Sequence, residues 1–110
     1  MNKKVIFLLP LLTLLIYSCE KAPEACMELG ATITTVGTAI EFKSCSENAL
    51  SIEWYIEGPE DAPENDLGWS DISFTHAFSM VGSYTVTLHA YEKFSFMGER
   101  STVEETIVVN

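Results

Sequence analysis

The chain has 110 residues, room for one domain, with sixteen acidic and six basic side chains and a formal net charge of −10. That balance repels phosphate backbones and so argues against nucleic-acid binding. It also repels anionic lipid, so any attachment to a membrane must come from something other than charge.

Met1 to Ser18 reads MNKKVIFLLPLLTLLIYS. Lys3 and Lys4 form a positive head, and Val5 to Tyr17 is an apolar run of thirteen residues broken only by Pro10 and Thr13. That length is short for a spanning helix and right for the core of a signal peptide. Ile16-Tyr17-Ser18-Cys19 then resembles the lipobox of bacterial lipoproteins: an aliphatic residue, a small residue before the cut, and cysteine after it. The resemblance implies cleavage before Cys19 and diacylglycerol on its sulfur, a membrane anchor without a membrane span. Glu20 stands where aspartate commonly retains lipoproteins in the inner membrane, so the resemblance implies the outer membrane, on its periplasmic or exposed side. Loss of Lys3 and Lys4 leaves four basic against sixteen acidic residues, a net of −12.

The cysteines are three: Cys19, Cys26 and Cys45. Lipidation of Cys19 leaves Cys26 and Cys45 as a pair in an oxidising compartment. The rival pairing of Cys19 with Cys26 requires a chain without lipid. Three parts are expected: a signal peptide over 1–18, a lipidated N-terminus and tether over 19–28, and a folded domain over 29–110.

Within the domain, Ala31 to Val36 is rich in β-formers, and Ala39 to Cys45 places Ile40 and Phe42 on one face. Leu50 to Glu57 (LSIEWYIE) alternates cleanly, with Leu50, Ile52, Trp54 and Ile56 predicted inward and Ser51, Glu53, Tyr55 and Glu57 outward. Gly58 to Gly68 (GPEDAPENDLG) is predicted to lack regular structure. Asp71 to Phe78 is predicted as a strand, with Ile72, Phe74 and Phe78 on one side. Met80-Val81-Gly82 turns the chain into a strand in which Tyr84, Val86, Leu88 and Ala90 face in and Thr85, Thr87 and His89 face out. Ser101 to Val109 is the last strand. Short alternating strands with turns about every ten residues, and no helical period, predict an all-β antiparallel sandwich of about seven strands.

Thr75-His76-Ala77-Phe78 followed by Gly82-Ser83-Tyr84-Thr85-Val86-Thr87-Leu88 resembles the signature of PKD (polycystic kidney disease) domains: a His-x-aromatic pair, a turn ending in Gly, then Tyr-x-Val-x-Leu. Trp54 sits where that family carries Trp-Asp-Phe-Gly-Asp-Gly, of which only the tryptophan and Gly58 are kept. The resemblance covers about residues 32–109. It implies an Ig-like sandwich and a non-catalytic extracellular module serving as a spacer or as a protein- or glycan-contact domain. Trp54, His76, Phe78, Gly82 and Tyr84 are its structural signature.

Two regions carry candidate sites. Glu57, Glu60, Asp61, Glu64 and Asp66 put five carboxylates within ten residues, a supply of oxygens that calcium uses, although Pro59 and Pro63 limit their convergence. The other reading is a solvated loop. Phe94, Phe96 and Met97 form an apolar stretch at a hairpin tip, with Trp69 a weaker case at the end of the acidic loop. They are either partner contacts or a continuation of the inward face that caps the core. No nucleophile motif surrounds any serine, so an enzyme is not expected, and no cofactor other than calcium is. The expected function is that of a lipid-anchored envelope module contacting a protein or a glycan. The alternatives are a calcium- or small-ligand-binding surface protein and an inhibitor or immunity-type lipoprotein using its acidity against a basic partner.

Overall fold

A computed structural model describes residues 21–110; the expected signal peptide and Cys19 lie outside them. The alternation of LSIEWYIE becomes strand β4, Ser51–Glu57, named here with its fellows in chain order: β1 Met27–Leu29, β2 Ile33–Thr34, β3 Ala39–Ser44, β5 Gly68–Trp69, β6 Ser73–Ala77, β7 Gly82–Lys93 and β8 Met97–Val109. Ile52, Trp54 and Ile56 of β4 are buried, as are Ala90, Leu88 and Val86 opposite them on β7 and Tyr84 farther along it. The two strands pair antiparallel from Ser51 opposite Tyr91 to Glu57 opposite Thr85.

The strands form two sheets packed as a sandwich. The larger has the order β2-β8-β7-β4-β5 and the smaller β1-β3-β6. All pairings are antiparallel except β2 with β8, where Ile33 lies beside Val108. The smaller sheet sends Ile40 and Phe42 inward, and Phe42 stacks on its cross-strand partner Phe74 with ring centroids 4.8 Å apart. Trp54 meets both rings edge-on and donates its Nε1–H to the Asp71 carbonyl at 2.9 Å. A tryptophan buried in this way needs such an acceptor, because an unpaired indole N–H is costly.

Cys26 and Cys45 form a disulfide across the start of β1 and the end of β3, with Cα atoms 4.8 Å apart. Backbone bonds support it: the Cys45 N–H donates to the Cys26 carbonyl, and Glu24 and Glu47 exchange both their N–H···O bonds. Residues 24–28, assigned to the tether by sequence, therefore belong to the sandwich.

Four further expectations are corrected. Ala31 to Val36 contributes only the two residues of β2, which have nothing but the end of β8 to pair with. β1 and β5 are too short to show a period, and with them the described residues hold eight strands rather than about seven. Leu50 and Ile72 are exposed rather than inward, since each stands just outside its strand, where the pleat no longer fixes direction. The loop after β4 holds one 3-10 turn, Pro63–Asp66. Pro63 presets the backbone angle for a first helical position and lacks the N–H that would be left unpaired there.

Candidate functional site

His76, Phe78, Gly82 and Tyr84 of the signature come together at one end of the sandwich, while Trp54 lies farther along it, against Phe42 and Phe74. The Tyr84 hydroxyl donates to the Met80 carbonyl at 2.8 Å, closing the turn that precedes its own strand. Phe78 packs on the Tyr84 ring at 4.4 Å, and His76 meets Phe78 edge-on. Gly58 lies flat against the Tyr84 ring, so a Cβ there would overlap it. Gly82, at φ +150, leaves room for Pro59. Burial raises the pKa of Tyr84, and the nearby Glu64 charge adds to the shift.

Glu64 is the residue whose role the sequence did not reveal. It is 1% exposed, and its Oε2 lies 2.6 Å from His76 Nε2. The 3-10 turn carries it inward. The loop around that turn is held by its own bonds: the Gly58 N–H donates to Asn65 Oδ1, and Asn65 Nδ2 donates to the Pro59 carbonyl. Ala62 is buried beneath it. The loop therefore does not gather its carboxylates. Glu64 turns to His76, while Glu57, Glu60, Asp61 and Asp66 are exposed. Among the described residues no three His, Cys, Asp or Glu side chains are grouped to hold a metal ion. Of the five carboxylates that the sequence offers to calcium, four thus stand apart in solvent, and the fifth holds His76 through Oε2 while its buried Oε1 has no hydrogen-bond partner.

Trp69 also turns inward. Paired opposite Trp54, it stacks on Phe74 at 5.0 Å and 3° and so extends the column Phe42–Phe74–Trp69 at the open edge of the sandwich. It is partly buried against the core rather than presented at a tip.

The hairpin tip behaves otherwise. Phe94 is 69% exposed, Phe96 43% and Met97 62%. The inward parity of β7 does not reach them, because the register shifts between Tyr91 and Lys93. Of the two readings of this tip, capping of the core does not occur.

Beside the tip lies a cluster on the outer face of the larger sheet that sequence reasoning did not assemble. The hydroxyls of Tyr55 and Tyr91 both donate to Glu53, at 2.8 and 2.7 Å. His89 contacts both tyrosine rings edge-on and holds Thr102 Oγ1 through Nδ1 at 2.8 Å. Phe96 packs on Tyr91 at 5.6 Å, and its N–H donates to Ser51 Oγ, whose own hydroxyl donates to the Lys93 carbonyl. A cavity of about 130 Å³ is lined there by Glu53, Tyr55, Trp69 and Phe96, among others. The hydrogen bond to Glu53 raises the pKa of Tyr55; for Tyr91 burial acts first and Glu53 second. Burial lowers the pKa of His89, and the Arg100 charge adds to that effect. The available signal was the outward parity of Glu53, Tyr55 and His89; their cross-strand adjacency depends on the register of β4 against β7.

No protein-family model matches this chain, and no curated protein matches its sequence.

Proposed function

We propose that this chain is a non-catalytic envelope lipoprotein, anchored in the outer membrane through Cys19, whose PKD-like sandwich contacts an envelope protein or a glycan. The observation that carries the contact is the outer-face cluster: two tyrosines and a histidine around one carboxylate, solvent-facing and already ordered by hydrogen bonds. Aromatic faces with a polar handle suit both apolar partner surfaces and the C–H faces of sugars. The lipobox at Ile16–Cys19 supports the anchor, as does the Cys26–Cys45 disulfide, which needs an oxidising compartment. The two-sheet packing and the Tyr84-to-Met80 bond support the PKD-like reading.

The test places a photo-crosslinking amino acid at Tyr55 or Tyr91 in the full chain in its own envelope, with isolated cell-wall sacculi assayed alongside. Adducts from these positions, absent when the label sits on the exposed Glu41, support the proposal. A properly anchored chain that yields no adduct at either site contradicts it. A second reading, inhibition of a basic partner, draws on the exposed carboxylates of the loop between β4 and β5. It predicts binding to a cationic protein that weakens as salt rises.

A further inference from the structure

The first described residues and the hairpin tip lie at the same end of the sandwich. β1 and β3 are antiparallel, with Met27 opposite Ser44, and beyond them Glu24 bridges Glu47. The next residue, Ala25, donates its N–H to Ser101 Oγ on β8 at 3.0 Å. Ser101 is opposite Ala90, so only the last turns of β7 and β8 lie between it and the tip. Four residue steps along β8 lead from Ser101 to Met97, about 13 Å. Five residue steps lead from Cys19 to Glu24, a reach of about 18 Å when fully extended. A lipid on Cys19 therefore holds this end of the domain, and with it Phe94, Phe96 and Met97, at the bilayer surface.

Two further observations favour this end over the other as the one that faces lipid. The first is charge. The basic residues downstream of Cys19 are Lys21, Lys43, Lys93 and Arg100. Lys21 precedes the Glu24 bridge, Lys43 lies at the same end of β3, and Lys93 and Arg100 flank the hairpin. The carboxylates of the loop between β4 and β5 leave from the other end, where Glu57 lies opposite Thr85. Glu24, Glu28, Glu47, Glu92 and Glu99 share the first end, so its charge is mixed, whereas the second carries carboxylates without a lysine or arginine and is the end an anionic surface repels more strongly. The second observation is backbone conformation. Ser95 and Phe96 both sit at left-handed φ, 60° and 59°. A bulky residue is costly there, where glycine or asparagine fits at ease, and such outliers concentrate at working surfaces.

We infer that the β7–β8 hairpin tip is a second membrane contact: Phe94, Phe96 and Met97 enter the interfacial layer beside the lipid on Cys19 and orient the domain with its acidic loop away from the bilayer. This rests on the lipoprotein reading above. Buried apolar area adds to the hold of the acyl chains, and a rigid second contact fixes a tilt that a short polar tether alone leaves free.

The test uses the full chain, produced with its leader and purified from membranes, in vesicles of phosphatidylethanolamine and phosphatidylglycerol with brominated acyl chains. Tryptophan is introduced singly as Phe94→Trp, Met97→Trp or, at the acidic end, Glu60→Trp, each checked by thermal melting against the parent. With lipid on Cys19 established by intact mass, a loss of emission for Phe94→Trp and Met97→Trp beyond that of the parent, and none for Glu60→Trp, is the expected result. A lipidated chain in which the tip variants are quenched no more than Glu60→Trp overturns the inference and leaves the anchor standing. A chain without lipid on Cys19 overturns both.

Discussion

Replacing Cys26 and Cys45 together by serine removes the one covalent tie between the N-terminal segment and the smaller sheet. The cysteines are 19 residues apart. On the loop-closure model a link of that span disfavours the unfolded chain by about 3 kcal/mol. The folded state loses little else, because the Cys45-to-Cys26 backbone bond and the paired bonds of Glu24 and Glu47 remain available. A domain of this size shifts its Tm by about 4–8 °C per kcal/mol, so a fall of about 12–25 °C is expected in a reversible thermal melt. Denaturant unfolding should show the same loss as a lower midpoint. A loss below about 1 kcal/mol would refute the reasoning: it would mean that residues 24–28 hold to β3 in the unfolded chain too, or that the link spans a segment that melts separately. Amide exchange distinguishes these, since the second case leaves β7 and β8 fully protected while β1 opens early.

Tyr84→Phe keeps the ring between Phe78 and Gly58 and removes only the hydroxyl that donates to Met80; a cost of about 1 kcal/mol is expected by denaturant unfolding. Glu64→Ala removes the hydrogen-bond partner of His76 and empties a buried site, and should cost about 1–3 kcal/mol, while calcium added to either chain leaves the calorimetric baseline flat. His89 should titrate below its ordinary 6.5 in an NMR pH series. Its folded pKa being lowered, the native state binds fewer protons than the unfolded state. The contribution of His89 to stability is therefore intact above 6.5 and is lost as pH falls from there through the lowered value.

Much of the architecture was legible because β4 and β7 each have one buried and one solvated face. Period-2 alternation reports that arrangement directly, and Ile52, Trp54, Ile56, Tyr84, Val86 and Leu88 obey it. The reading ended where pairing no longer imposes a pleat. Leu50 and Ile72 continue the pattern on paper but stand outside their strands. β1 and β5 are held by the disulfide and by a two-residue pairing with β4, neither of which leaves a periodic trace. The acidic loop looked like a supply of metal ligands because composition does not show direction. One turn started by Pro63 sends Glu64 inward to His76, twelve residues away. The cluster around Glu53 was hidden for a related reason, since Tyr91 reaches Glu53 only through the register between two strands.

Anchoring of the domain turns on Cys19. Intact mass spectrometry of the full chain purified from bacterial membranes tests it directly. The expected species begins at Cys19, carries a diacylglycerol and retains one internal disulfide between Cys26 and Cys45. A chain cleaved at another position, or one whose Cys19 is unmodified, would contradict it.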